Sequence, residues 1–268
     1  MKNNEISIRL TVPSEAEELC RIQKAAFKPL YQKYHDEGNP YLRGVEDILR
    51  RINKNSRYFT ILYGREIAGG IVYRLKGKRT PCIQLEEGEY YLGRVYIKPE
   101  LQGKGIARKA ILLCEKEFPD AKTFYVDFPE DMEKNRRCYS NAGYRDTGKK
   151  LIMDGNPPLA MFEKIITEPY SPKEICYPMI YKTDKEEISI CNDILGGSLI
   201  LNENNIIKSA DTDIEVNVYG LYAGKKMIGC VVITNDYNEV IECAVLPEYR
   251  DKDFNKILLD YANNIING

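Results

Sequence analysis

Residues 95–118 read VYIKPELQGKGIARKAILLCEKEF, and the hydrophobic period changes within them. Up to Pro99 the apolar positions alternate, as on a half-buried strand. Beyond the turn, Ile106, Ala110, Ile111 and Cys114 fall on one helical face. Gly103-Lys104-Gly105 stands between the two patterns. Such a handover commits the chain to an α/β arrangement. Glycines allow a tight turn with positive φ. Their spacing also lets several consecutive backbone N–H groups point outward at a helix N-terminus, which carries about half a positive charge. The stretch is therefore a ready anion site, to which Lys104 and Arg108 add charge. It is not a P-loop, because the earlier glycine and the Ser or Thr after Lys104 are missing. Nor is it the dinucleotide fingerprint, because Arg108 stands where the third glycine belongs.

The flanking sequence supplies the rest of one unit. EISIRLT (5–11) alternates as a strand, and PSEAEELCRIQKAAF (13–27) opens with proline, serine and early acids, the signals of a helix start. VEDILRRIN is a second, shorter helix after an Asn-Pro break, and RYFTILYGREIAGGIVYRL (57–75) is a hairpin about a Gly-Arg turn. After the opening stretch come a strand at 122–128 and a helix at 130–143 with a glycine stop. Two strands, in YRDTGKKLI and PPLAMFEKII, then flank the turn MDGNPP. The expected order is β-α-α-β-β-β-α-β-α-β-β.

The chain has 268 residues, which favours two domains. The proline-bearing segment TEPYSPKEICYP marks the junction, giving domains at 1–167 and 180–268 with a linker at 168–179. The second part echoes the first. LYAGKKMIGCVVI (221–233) overlays ILYGREIAGGIVY (61–73) at an offset of 160, with Gly64 on Gly224 and Gly69 on Gly229. VLPEYR (245–250) overlays IKPELQ (97–102) at an offset of 148. Asp251, Asp253 and Asn255 replace Gly103, Gly105 and Ala107, and two carboxylates there would repel a phosphate. The helix stripe Phe254, Ile257, Leu258, Tyr261, Ala262 and Ile265 persists.

A net charge of −1 gives no sign of a polyanion-binding surface, so no nucleic-acid partner is expected. No apolar run approaches the ~20 residues that span a bilayer, and MKNNEISIRL lacks the layout of a signal peptide. No membrane partner is expected, and the protein reads as cytoplasmic. The eight cysteines are scattered without a C-x-x-C pair and read mostly as small buried hydrophobes. His35, the only histidine, lies in the polar segment KYHDEGNP and reads as a solvated loop residue, so no metal site is expected.

Gln102-Gly103-Lys104-Gly105-Ile106-Ala107 matches the pattern [QR]-x-x-G-x-[GA], and NRRCYSNAGYR (135–145) places a tyrosine shortly before Gly-Tyr. In these motifs and in element order, residues 5–166 resemble the GNAT N-acetyltransferase superfamily. DFPEDMEKNRRCYSNAGY and DGNPPLAMFEK are similar to aminoglycoside N-acetyltransferases and their relatives, without fixing a substrate. The resemblance implies an α/β (α+β) acyl-CoA N-acyltransferase fold: a central mixed, mostly antiparallel sheet flanked by helices, followed by a partial second unit. It implies acetyl-CoA as co-substrate and an amine of a small molecule or peptide as acceptor, attacking directly in a ternary complex.

Under that resemblance the pyrophosphate lies on the amides of Gly103, Lys104, Gly105, Ile106 and Ala107, with Gln102 and Arg108 flanking. Pantetheine pairs with the backbone of Val95 and Ile97, and an amide near Tyr96 faces the oxyanion. Tyr139 matches the general acid. Glu89 is the first candidate for the base, beside Glu86, Glu87 and Asp127, while Asp36 and Glu37 are placed to shape the acceptor cleft. Met132 occupies the family's usual asparagine position, and Asn135 is the substitute donor. Two other readings are a CoA-binding scaffold with little turnover and a transferase of longer acyl groups. Three roles stay open for the degenerate second part: packing on the first, covering part of the acceptor cleft, or pairing copies in a homodimer.

Overall fold

The computed structural model describes residues 5–53, 55–80, 83–152, 157–208, 213–236 and 239–267. Cys82 and most of the MDGNPP turn lie outside them. The chain divides into two compact units, Met1–Pro169 and Tyr170–Gly268.

The first unit begins with β1 (Ile6–Leu10), α1 (Ala16–Tyr34), α2 (Val45–Arg51), β2 (Ser56–Tyr63) and β3 (Glu66–Arg74). A small hairpin follows, β4 (Lys78–Thr80) with β5 (Ile83–Gln84), where the sequence pattern suggests a loop. Then come β6 (Glu89–Ile97), α3 (Ile106–Glu115), β7 (Thr123–Pro129), α4 (Glu133–Asn141), β8 (Arg145–Leu151) and β9 (Leu159–Ile165). α1 is longer than its apolar periodicity suggests. It continues through Pro29 and closes at His35, whose φ is +53° and whose N–H donates to the Tyr31 carbonyl at 2.8 Å. The His35 side chain is exposed.

Seven strands form one sheet in the order β1-β2-β3-β6-β7-β9-β8. Every pairing is antiparallel except that of β6 with β7. On one face Leu19, Ile22, Ile48, Tyr58, Val72 and Tyr96 pack together beneath α1 and α2. Elsewhere in the unit Tyr73, Tyr90, Phe118 and Phe124 stack with ring centroids 4.5–5.7 Å apart.

Two details shape the middle of this sheet. Gly69 lies so close to β6 that an added Cβ would stand 1.9 Å from the Tyr96 carbonyl oxygen. Opposite β3, the β6 register slips: Arg94 faces Val72 and Leu92 faces Tyr73, leaving Gly93 as the extra residue of a bulge. A bulge bends its strand and increases the local twist. The β6–β7 ladder accordingly covers only Glu89–Tyr91 against Thr123–Tyr125. β6 then continues along β3 to Ile97, while β7 continues along β9 to Pro129. Beyond Tyr91 the facing edges of the two strands are not joined to each other.

The second unit contains β10 (Met179–Lys182), α5 (Ile188–Leu195), β11 (Ile206–Lys208), β12 (Asp213–Ala223), β13 (Lys226–Thr234), β14 (Val240–Val245) and α6 (Phe254–Ile266). Its sheet runs β10-β12-β13-β14, with β11 paired to β12. One core holds Phe254, Leu258 and Ala262 of α6, and another holds Ile188, Cys191 and Leu195 of α5. Ile175, from the segment read as a linker, is fully buried in the α6 core. The irregularities of this sheet fall between Leu221 and Tyr222 and between Val232 and Ile233. In the β2–β3 and β3–β6 ladders of the first unit they fall between Ile61 and Leu62 and between Val72 and Tyr73, the same offset of 160. Among the described residues no helix is long and apolar enough to cross a membrane.

Gly69→Ala should destabilise the first unit by ~3 kcal/mol, because the methyl group meets backbone that cannot swing aside. Gly44→Ala, where a Cβ meets nothing within 4 Å, is the control. Urea unfolding followed by circular dichroism compares them, and equal midpoints would contradict the close approach.

Candidate active site

The turn that follows β6 starts at Pro99 with a short 3-10 segment, Pro99–Leu101, and then opens. Gly103 has φ +78° and Gly105 +75°. Both adopt the left-handed region, and a Cβ built on either meets nothing within 4 Å. Packing therefore does not exclude side chains here; any side chain would project into open space. α3 starts immediately after Gly105, so its first amides face the same opening. The Gln102 side chain secures the approach, donating Nε2–H to the Ile97 carbonyl at 3.0 Å.

A cavity of about 470 Å³ lies against this turn. Its walls come from α1 (Ala26, Phe27, Pro29, Leu30), β6 (Val95, Tyr96, Ile97), the turn and α3 (Gln102, Gly103, Gly105, Ile106, Ala107, Arg108) and α4 (Asn135, Cys138, Tyr139). Most of the residues singled out by sequence thus meet at one place. Lys104 does not line it; its ammonium lies over the Tyr63 ring, 5.8 Å from the centroid. Glu89 does not line it either. It sits where β6 and β7 are still paired, with Oε1 accepting from the Tyr125 hydroxyl at 2.9 Å and Oε2 from the Glu86 amide at 3.0 Å. Glu86, Glu87, Asp127, Asp36 and Glu37 are also absent from the cavity wall.

The wall also includes residues that sequence reasoning passed over. Lys134 donates to the Gln102 side-chain oxygen at 2.8 Å and puts a cation beside the turn. It precedes Cys138 by one helical repeat, as Asn135 precedes Tyr139, so the i, i+4 pattern of α4 carried the signal. Phe27 closes the expected helix, and Pro29 and Leu30 belong to the unforeseen extension of α1. Arg108 is held to the end of α4, its Nε–H donating to the Asn141 carbonyl at 2.9 Å. The Asn135 amide nitrogen lies 3.8 Å from the Met132 sulfur.

Tyr139 is 7% exposed, with its ring against Phe128 (centroids 5.2 Å) and edge-on to Tyr144 (5.9 Å). Burial, reinforced by Cys138 and Asp127, pushes its phenol far above the ordinary range, so the hydroxyl keeps its proton. Burial also raises the Cys138 thiol, against the pull of Arg108 and Lys134. Tyr96 hydrogen-bonds Tyr58, hydroxyl to hydroxyl at 2.8 Å, beneath α1.

Further back along β6, Arg94 donates to Gln23 of α1 at 2.6 Å and to Asp47 of α2 at 3.0 Å. Asp47 is 5% exposed and also accepts from Arg50 and Arg51. Burial opposes its charge, but the hydrogen bonds and charges of Arg51 and Arg94 outweigh that and hold the carboxyl at about 2. One carboxylate thereby fixes α2 to the strand whose continuation lines the cavity, and Gln23 does the same for α1.

The corresponding place in the second unit serves as an internal comparison. Arg250 Nε donates to the Val245 carbonyl at 3.2 Å, the counterpart of Gln102 on Ile97. Leu246 N–H donates to Ile228 as Lys98 N–H does to Ala68, both at 2.8 Å. Asp253, at the Gly105 position, has φ +53°. The 3-10 segment Pro247–Lys252, however, runs straight through the position of Gly103. Asp251 stays in that segment and the turn does not open.

A mixed sheet that parts between two central parallel strands, with an N–H-lined turn at the opening, defines the acyl-CoA N-acyltransferase fold. Residues 17–144 match the model of the acetyltransferase (GNAT) family, and the first unit is an acyltransferase domain of that family. No curated protein matches the chain. Similar solved structures include an acetyltransferase from Thermus thermophilus, at 19% identity over 62% of this chain and 100% of that one, with a TM-score of 0.47. The PaiA N-acetyltransferase from Thermoplasma acidophilum, in complex with coenzyme A, is 18% identical over 60% and 99%, with a TM-score of 0.48. The ribosomal-protein-S18-alanine N-acetyltransferase from Escherichia coli is 13% identical over 61% and 96%, with a TM-score of 0.45.

The Asp47 cluster has a pH signature. Its folded-state pKa lies below the ordinary 3.8, so its contribution is present above about pH 4 and is lost as pH falls toward 2. The shift corresponds to ~2 kcal/mol. Asp47→Asn should lower stability by ~3 kcal/mol at neutral pH, since three arginines lose their shared partner. The variant should also show a shallower acid decline. Unfolding free energies measured against pH check both, and parallel declines would remove Asp47 as the source.

Proposed function

We propose that the first unit is an N-acetyltransferase that moves an acetyl group from acetyl-CoA to an amine of a small molecule or an exposed peptide. The observation that carries this is the pair Gly103 and Gly105: both are held at positive φ, and a Cβ on either would enter the space in front of the α3 N-terminus. That space suits a pyrophosphate, whose charge the amides of 103–107, Arg108 and the α3 dipole would stabilise. Lys134 is a further cation for it, while Lys104 contributes its amide rather than its side chain.

The edge of Val95–Ile97, past the end of the β6–β7 ladder, suits the amide-bearing pantetheine arm. The backbone near Tyr96 is positioned to stabilise the oxyanion, a role typically worth ~3 kcal/mol. Asn135 provides the amide that Met132 cannot. Tyr139 holds a protonated hydroxyl in the cavity wall and donates to the departing thiolate. Glu89 is not retained as the base, since its carboxylate is engaged away from the cavity.

We further propose that the second unit is a partial, degenerate copy of the first. The shared strand order, equal bulge offsets and matching bonds of Arg250 and Gln102 support common descent. Asp251 and Asp253 make it unfit to bind CoA. The protein is proposed to act in the cytoplasm.

Gly105→Asp should abolish CoA binding by calorimetry while the circular dichroism spectrum is retained; undiminished affinity would refute the phosphate assignment. Tyr139→Phe should lower kcat by about 10²-fold with little change in acetyl-CoA affinity. Free-thiol release with acetyl-CoA and an amine panel provides the assay, and an unchanged rate removes Tyr139 as acid. CoA binding by the wild type without turnover of any amine would point instead to a CoA-binding scaffold.

A further inference from the structure

A second concavity, of about 330 Å³, lies elsewhere on the first unit. Four cationic side chains line it, those of Arg50, Arg51, Arg74 and Lys76, with Asp47 and Ser56 between them. In the β3–β6 ladder Arg74 faces Tyr91, whereas Gly69 faces Ile97 beside the glycine turn. Six residues of strand separate the two positions, a distance of about 20 Å. The concavity therefore sits toward the opposite end of β6 from the proposed pyrophosphate turn.

Its lining carries more positive than negative charge. Asp47 is the carboxylate in its wall, and both oxygens are already engaged. Oδ1 accepts from Arg50 at 2.9 Å and from Arg51 at 3.3 Å, while Oδ2 accepts from Arg51 and from Arg94, each at 3.0 Å. A carboxylate has about four acceptor sites, and these bonds occupy them. Three guanidinium groups thus share this one carboxylate before Arg74 and Lys76 are considered. Burial, and next the charge of Arg51, lower the basicity of Arg94, the direction expected where like charges crowd. Placement in the last turn of α2 accounts for Arg50 and Arg51 through the helix dipole. It does not account for Arg74 at the end of β3, Lys76 beyond it, or Arg94 on β6.

We infer that this concavity is a second anion site, which takes a compact polyanion through phosphoryl or carboxylate oxygens. Arginine forks match either oxyanion in bidentate fashion, and the volume exceeds the needs of a single small ion. Arg50, 74% exposed at its side chain, and exposed Lys76 provide the outer contacts, while Arg51 is held in place by Asp47.

The test is an amide-shift titration of the ¹⁵N-labelled full chain with inorganic pyrophosphate and, separately, with citrate. Saturable shifts are expected at Arg50, Arg51, Ser56, Arg74 and Lys76, weakening as salt is raised. The tighter of the two anions identifies the oxyanion class. Arg50→Gln with Lys76→Gln should weaken binding at least tenfold and leave resonances elsewhere in place. Shifts confined to 103–107, no saturable response to either anion, or equal affinity in the double variant would each overturn the inference. Because the readout is local, it is independent of whether the glycine turn binds CoA.

Discussion

The parting of β6 from β7 is the constraint around which the first unit is organised. Strands in the middle of a sheet ordinarily pair along their length, since backbone polar groups inside a protein need partners. Here the ladder ends at Tyr91, and the remaining β6 edge faces a cavity. Gly93 supplies the bulge that bends the strand, and Gly69 lets β3 press against it. Arg94 anchors the bulged stretch to α1 and α2, leaving Val95–Ile97 as one wall. An edge of this kind leaves backbone polar groups open to pairing from the cavity side, which is what the proposed pantetheine contact uses.

The second unit makes a similar strand-to-helix handover without the two glycines. A left-handed residue opens the helix in both units, Gly105 before α3 and Asp253 before α6, and aspartate is among the few other residues that adopt it readily. That position alone therefore does not demand glycine. The position of Gly103 differs more, because without glycine the 3-10 turn simply continues through Asp251. Opening the turn, and with it the row of outward N–H groups, depends on Gly103.

The turn and Tyr139 were legible in the sequence because local chemistry decides them: a glycine spacing, a proline-ended strand, a helix before Gly-Tyr. The order of elements along the chain followed from hydrophobic period, apart from the β4–β5 hairpin, and the bulges did not, though the repeat offset matches Gly69 with Gly229. Other features depend on distant partners and left no local trace. Nothing in EDILRR announces that Asp47 meets Arg94, 47 residues away. The last turns of α1 were hidden because Pro29 reads as a stop and the apolar stripe thins after Phe27. Glu89 fitted a position but not a direction, since Tyr125 and the Glu86 amide take its oxygens.

Pro29 has a consequence for motion. With no N–H to give, it leaves the Ala25 carbonyl without its usual donor four residues on, inside the stretch of α1 that borders the cavity. Six residues earlier, Gln23 is fully buried and tied both to Arg94 and to the Pro40 carbonyl. The helix is thus clamped at Gln23, loosened at Pro29 and tied again beyond it, where Lys33 and Tyr34 bond Asp131. The missing hydrogen bond is confined to a short stretch between two tethers, so α1 can yield locally beside the cavity while its ends and the sheet stay still.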